Sequence, residues 1–289
     1  MANTKTILVT GSKGQLGNEL QELAGSMKDA EFHFVDIEEL DITDSQQVRI
    51  FFDEVKPTHC INCAAYTAVD KAESDRELCD LINVAGVENL ASASKAHDAI
   101  LYHISTDFVF NGHASQPLTE DQETDPVCYY GESKLNGEKR VAEITDKHYI
   151  IRTSWLYSSF GNNFVKTMLR LGETKPELGV IFDQVGTPTY AKDLAESILK
   201  MIEAPEDHFG TYHYSNEGVA SWYDFTKAIF EYENITIPVK PIPTTAYPTP
   251  AKRPHFSVMD KQKIKNNFNL TIPHWRESLK ACLVRLQKP

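Results

Sequence analysis

The first seventeen residues restrict this chain to a small set of folds. Thr6-Ile7-Leu8-Val9-Thr10 is a short apolar, β-branched run of the kind found in a buried parallel strand. Gly11-Ser12-Lys13-Gly14-Gln15-Leu16-Gly17 follows at once, and Leu16, Leu20 and Leu23 then repeat at helical spacing. Strand, glycine loop and helix in that order form the context of a dinucleotide-binding turn. The spacing is Gly-x-x-Gly-x-x-Gly rather than Gly-x-Gly-x-x-Gly, but the physics is shared. Glycines allow a tight turn, and N–H groups at the helix start face a pyrophosphate. Gly11, Lys13, Gly14, Gln15, Leu16 and Gly17 are therefore candidate cofactor contacts.

The pattern repeats along the chain. Glu31–Asp36 reads as a second strand and ends in an acid about 20 residues past the loop, where a carboxylate accepts from adenosine ribose hydroxyls. Asp36 favours NADH over NADPH by repelling a 2′-phosphate, whereas Lys13 could reach that phosphate, so both cofactors stay open. Asp41–Asp44 begins the next helix, with Thr43 or Asp44 as N-cap and Val48, Phe51, Phe52 and Val55 as its apolar face. His59–Ala65 is a third strand. Its Cys60-x-x-Cys63 pair invites a redox or zinc reading, but positions three apart in a strand point to opposite faces, so both are expected as small core residues.

A long helix is expected from Arg76 to His97, with Leu78, Leu81, Ile82, Ala85 and Leu90 inward. Ala99–Ile104 forms a fourth strand that delivers Ser105-Thr106-Asp107 to the sheet's carboxyl edge, where open α/β sheets bind ligands. A polar loop from Phe108 to Val127 precedes a helix from Tyr130 to about Ile144, and His148–Arg152 is a fifth strand. The implied fold is α/β: a Rossmann-type doubly wound parallel sheet with a smaller C-terminal α/β substrate lobe. The cofactor domain spans residues 1–155, with returning segments from about 180–215, and residues 156–289 are mostly the substrate lobe. Past residue 156 helices are expected from Gly161, from Ala191 to Glu203, from Ser221 to Tyr232 and from about Ile272 to Leu286. Strands fall at Val180–Asp183 and Thr211–Tyr214. The proline-rich stretch from Ile237 to Pro254 reads as an extended linker.

Tyr130 and Lys134 lie four apart on one helix face. An ammonium one turn from a phenol favours the phenolate, which makes Tyr130 a candidate proton donor assisted by Lys134. Thr106 is a hydroxyl placed to bind a carbonyl oxygen. Together with a nicotinamide they make a carbonyl/alcohol redox site. Tyr129 has Ser133 four residues on and is the weaker choice.

These segments resemble the extended short-chain dehydrogenase/reductases. Within them, Thr10–Gly17, Leu40–Asp44, Ala64–Glu73, Ser105–Phe110, Tyr130–Glu138, Arg152–Tyr157, Asp183–Thr189 and Arg253-Pro254 resemble the dTDP-4-dehydrorhamnose reductase family. The resemblance implies reduction of the C4 ketone of dTDP-4-dehydro-6-deoxy-L-mannose to dTDP-L-rhamnose with NADPH or NADH, in the making of cell-surface polysaccharide. It implies that Asp36, Asp41 and Ile42 hold the adenosine end. Ala64, Ala65, Tyr66, Thr67 and Ile104 line the cofactor groove, and Lys134 also bonds the nicotinamide ribose. Thr106, Asp107 and Trp155 contact the sugar, and Arg253 is a candidate for the diphosphate from its charge and its place in the linker. Phe108 and Asn111 depart from the family's usual Tyr and Asp at positions expected to stay clear of the chemistry. Gln15 stands where some members carry a metal-binding glutamate that joins two subunits, so a monomer or weak homodimer is expected. The rival readings are a nucleotide-sugar epimerase or dehydratase, and a non-catalytic regulatory subunit on the same fold. A dehydratase would want an acid after Asp107, where Phe108 stands.

The 289 residues carry a net charge of −12, with a pI near 5.3. Such an acidic surface argues against nucleic acid or anionic membrane as a partner. Five cysteines do not suggest a disulfide framework, ten scattered histidines suggest no metal site, and no stretch approaches the roughly 20 apolar residues of a membrane span. The N-terminus runs straight into a strand with no room for a signal peptide, and a cytoplasmic enzyme is expected.

Overall fold

A computed structural model describes residues 4–205 and 207–287. The N-terminal residues invoked in the signal-peptide reading lie partly outside them, at positions 1–3. The first half alternates strand and helix: β1 (Lys5–Thr10), α1 (Gln15–Leu23), β2 (Ala30–Phe34), α2 (Ser45–Val55), β3 (His59–Asn62) and the short α3 (Val69–Ala72). Next come α4 (Arg76–Asp80), a π-helical segment (Leu81–Gly86), α5 (Val87–Ala96), β4 (Ile100–Thr106), α6 (Tyr129–Ile144) and β5 (His148–Thr153). The second half contains β6 (Leu156–Tyr157), α7 (Phe164–Thr174), β7 (Leu178–Ile181), β8 (Val185–Gly186), β9 (Thr189–Tyr190) and α8 (Ala191–Glu203). It closes with β10 (Gly210–Tyr214), β11 (Ala220–Ser221), α9 (Trp222–Tyr232), β12 (Val239–Ile242), α10 (Gln262–Phe268) and α11 (Trp275–Leu286).

Six strands form one parallel sheet in the order β10-β5-β4-β3-β1-β2. The order reverses between β1 and β3, so their carboxyl ends flank the crevice in which doubly wound sheets hold ligands. Both sheet faces are covered. Ile7, Val9 and Ile61 pack on one side with Leu20, Leu194, Ile198 and Ile202. Leu8, Cys60 and Leu101 pack on the other with Phe52, Leu90 and Val141. Cys60 and Cys63 therefore face opposite layers, and burial pushes the Cys60 thiol up to about 12. Among the described residues no three His, Cys, Asp or Glu side chains group as a metal site, and no helix is long and apolar enough to cross a membrane.

Most expected elements appear close to their expected bounds. Asp44 caps α2, accepting from the Gln46 and Gln47 N–H groups, and Ser221 and Asp224 form a reciprocal capping box on α9. Three departures have physical causes. The helix from Arg76 to Ala96 contains a π-helical turn, which adds one residue to a turn and shifts the inward phase. Cys79, Asn83, Gly86, Val87 and Leu90 point inward, and Leu78 and Leu81 are exposed instead. The proline-rich stretch is not wholly a linker, because Val239–Ile242 pairs in parallel with β7. Pro241 is tolerated there because this two-stranded ribbon leaves an open edge. The unanticipated α10 carries Ile264 and Phe268 into the core beside Tyr149 and Tyr212, so part of the C-terminal chain packs on the large sheet.

The polar loop after β4 is tied down. Its Leu118 N–H donates to Val258 O at 2.8 Å, and the Asp260 N–H donates to Leu118 O at 2.8 Å.

Candidate active site

Gly11 turns out of β1 at φ +63, and a Cβ there would lie 2.6 Å from the Ala64 nitrogen. Only glycine lets the loop sit on the end of β3. Gly17 makes a similar approach, since its Cβ would meet Gly11 O at 2.5 Å, so α1 starts directly against the loop. Gly14 is the N-cap of α1 and brings no capping side chain to the first turn. The N–H groups of Gln15, Leu16 and Gly17 are thus available to phosphate oxygens, and the loop fits a dinucleotide pyrophosphate. Ser12 N–H donates to Val35 O at 3.0 Å and Lys13 N–H to Asp36 Oδ2 at 2.8 Å, which fixes Asp36 beside the loop. The Lys13 ammonium turns away to Glu38, at 2.7 Å. Asp41 Oδ1 accepts from both the N–H and the hydroxyl of Thr43. The Ile42 side chain goes inward against Gly86, so any contact it makes with adenosine is through its backbone.

The end of β3 is braced from the π-helical turn. Asn83, fully buried, accepts from Tyr66 N–H at 2.9 Å and donates to Tyr66 O at 3.1 Å and to Ser133 Oγ at 3.0 Å. The Ser133 hydroxyl in turn donates to Tyr130 O at 2.9 Å. Gly137 permits this, since a Cβ there would lie 2.3 Å from Asn83 O. One amide therefore joins the chain at Tyr66, past the end of β3, to the helix that carries Tyr130 and Lys134. Sequence reading missed Asn83. The available signal was its place four residues after Cys79 and four before Val87, a polar residue on the buried stripe. Ala64 N–H is held by Asn62 Oδ1 at 3.1 Å, and Ala65 and Thr67 complete the turn around Tyr66.

Thr106 ends β4 opposite Thr153 of β5 and is buried. Tyr130 is buried as well, near enough to Thr106 for that hydroxyl to favour its phenolate. Burial pushes the phenol well above its usual range, with Asp107 adding to the rise and Thr106 opposing it. This corrects the expectation that the ammonium makes Tyr130 more acidic. Lys134 Nζ instead donates to Ile104 O at 2.7 Å, and burial lowers it to about 8 against the opposing pull of Glu138. Glu138 sits one turn further on and is clamped by Arg152, at 2.7 Å, both side chains being buried. An ammonium with one N–H spent on Ile104 keeps two for a ligand. Tyr129 is elsewhere, its hydroxyl on Asp80 and its ring under Arg76. Phe108 is a second correction. Its ring meets Tyr130 edge-on at 5.5 Å, because Gly131 lets the Phe108 backbone lie against α6. Asn111 does stay apart, on Asp125.

Asp107 follows Thr106 into the interior. Its Oδ1 accepts from Thr106 at 3.1 Å, and the Ser257 hydroxyl lies alongside. Burial pushes this carboxyl up to about 6. Trp155, two residues past β5, adopts a left-handed backbone at φ +47 that costs an L-residue on the order of 1 kcal/mol. The strain lays its indole flat on Trp222, with ring centres 3.6 Å apart and planes within 7°. Gly186 makes room, since a Cβ there would sit 2.9 Å from the Trp155 ring. Trp222 Nε1 is fixed by Gln184 Oε1 at 3.2 Å. Trp222 and Ser257 come from the distant half of the chain, and nothing in the sequence marked them. Arg253 is less free than its charge suggested. It grips both oxygens of Asp70, at 3.0 and 2.8 Å, and also bonds Thr249 and Ala251.

A parallel doubly wound sheet with a phenol, a hydroxyl and an ammonium gathered at β4 beside a pyrophosphate loop defines the class of the chain: an extended short-chain dehydrogenase/reductase. The comparisons narrow it further. The family model described as "RmlD substrate binding domain" matches residues 5–288. The dTDP-4-dehydrorhamnose reductase of Aggregatibacter actinomycetemcomitans is 41% identical over 285 residues, covering 95% of this chain and 97% of that one. Two solved structures superpose with TM-scores of 0.94. The dTDP-4-dehydrorhamnose reductase from Clostridium acetobutylicum is 46% identical and covers 98% of this chain and 100% of its own. That from Bacillus anthracis, solved in complex with NADP, is 41% identical and covers 98% and 99%. The chain belongs to the dTDP-4-dehydrorhamnose reductase family.

Proposed function

We propose that this protein reduces the C4 ketone of dTDP-4-dehydro-6-deoxy-L-mannose to give dTDP-L-rhamnose, with NADPH or NADH as reductant. The observation that carries the reading is the placement of Tyr130 and Lys134 one turn apart on α6, with the Lys134 ammonium held by Ile104 O of β4, the strand that ends in Thr106. When bound, the reduced nicotinamide supplies the hydride. The chain does the rest. Thr106 holds the sugar's C4 oxygen, and Tyr130 gives that oxygen its phenolic proton. A phenol kept neutral by burial suits a donor in the reductive direction. Lys134 holds the nicotinamide ribose with the N–H groups it does not spend on Ile104. Asp107, Trp155 and Trp222 form the sugar subsite, and Asp36 with the loop from Gly11 to Gly17 holds the adenosine diphosphate end. Arg253 meets the substrate diphosphate by exchanging Asp70 for phosphate oxygens.

Residues 1–155 and about 180–215 form the cofactor domain in this reading, with the substrate lobe built mostly from the rest. Gln15 is a neutral amide accepting from Asn163 at 2.9 Å, which favours a monomer or weak homodimer over a metal-bridged pair. Phe108, rather than an acid, follows Asp107, which disfavours a dehydratase. The test is to mix protein, NADPH or NADH and the 4-keto sugar nucleotide, following reduced-cofactor absorbance and the product by NMR. Substrate-dependent oxidation with formation of the L-rhamno product supports the proposal. An intact ketone and unchanged absorbance overturn it.

A further inference from the structure

We infer that Glu38 sets the choice between the two dinucleotides by holding Lys13 away from the 2′-position of the adenosine ribose. This rests on the reading of the glycine loop as a nicotinamide-dinucleotide site. The Lys13 N–H bonds Asp36 Oδ2 at 2.8 Å, so residue 13 sits directly against the carboxylate that addresses the ribose. Its ammonium is the natural partner of a 2′-phosphate there. Two carboxylates compete for it: Glu38 Oε2 lies 2.7 Å from Nζ, and Glu39 Oε1 lies 3.9 Å away. Glu39 is itself anchored, its Oε2 accepting from the Asp36 N–H at 2.9 Å, and this fixes the turn on which Glu38 is carried.

Three carboxylates therefore surround one cation at the end of the groove. A ribose 2′-hydroxyl asks nothing of Lys13 and is satisfied by Asp36. A 2′-phosphate must draw Lys13 off Glu38 while facing the uncompensated charges of Asp36 and Glu38. Lys13 and Glu38 are more than half exposed, so their pair is screened and breakable. It acts as a bias toward NADH and not as a bar to NADPH.

Direct binding of NADH and of NADPH, measured by calorimetry without substrate, tests this on the wild type, Glu38→Gln, Lys13→Gln and the double variant. Glu38→Gln should tighten NADPH about two- to fivefold, the range expected of an exposed pair, and leave NADH nearly unchanged. Lys13→Gln should weaken NADPH and remove most of the gain from Glu38→Gln in the double variant. An equal effect of Glu38→Gln on both cofactors overturns the inference. So does a full NADPH gain in the Lys13→Gln background, which would mean direct repulsion by Glu38. If the wild type binds neither dinucleotide, the reading of the loop fails first and the inference falls with it.

Discussion

Replacing Asn83 with alanine should damage this protein more than any single change on its surface. The side chain is fully buried and makes four hydrogen bonds, two to the backbone of Tyr66, one to Ser133 and a weak one to the Cys79 sulfur. Ser133 keeps its bond to Tyr130 O and its contact with Cys79. Tyr66 loses partners for both its N–H and its C=O. A buried polar group left without a partner costs about 1–3 kcal/mol, so Asn83→Ala should destabilise by on the order of 3–4 kcal/mol. Urea unfolding reads this as a lower midpoint at unchanged slope. Cofactor affinity should fall as well if Tyr66 lines the cofactor groove as proposed. Asn83→Asp should be at least as harmful near neutral pH, since it keeps the acceptor, loses both donors and buries a charge. A loss below about 1 kcal/mol for Asn83→Ala would refute the view that one amide braces groove and helix together.

Further outcomes follow from the buried charges. Asp107 holds its proton more tightly folded than unfolded, so its contribution to stability is greatest below about pH 4 and is lost as pH rises through about 6. Asp107→Asn should remove that slope and gain on the order of 2–3 kcal/mol relative to wild type at pH 7, read by unfolding across pH 4–7. Lys134, lowered to about 8, should give kcat/KM an alkaline limb near pH 8 as its ammonium deprotonates. Glu138→Gln leaves Arg152 buried without its charge partner and should cost about 3–5 kcal/mol in unfolding free energy. The same change should move the alkaline limb to lower pH, because Glu138 supports the Lys134 ammonium.

The large sheet was legible because buried parallel strands are continuous apolar runs and each is followed by a helical pattern. The glycine loop could be read for a local reason: strand, turn and helix are adjacent in the chain. Legibility failed where one residue altered a period or where contacts joined distant segments. A single π-helical turn put Leu78 and Leu81 into solvent and brought Asn83 inward. Trp222 reaches Trp155 across 67 positions, and Ser257 reaches Asp107 across 150, and no local pattern encodes such meetings. Tyr130 and Lys134 were singled out by their spacing and their place after the fourth strand, and Thr106 by its place at that strand's end, but their electrostatics were not legible. An i, i+4 pair places two groups on one face without saying which neighbour each one binds, and Lys134 binds Ile104.

The most direct measurement is single-turnover reduction of the 4-keto sugar nucleotide by wild type and Tyr130→Phe, with NADPH or NADH affinity measured on both. Loss of the phenolic proton should slow the reduction by about 10²–10⁴ and leave cofactor affinity nearly unchanged. A Tyr130→Phe protein that reduces the ketone at the wild-type rate would contradict the assignment of Tyr130 as the proton donor, and with it the mechanism built on Thr106 and Lys134.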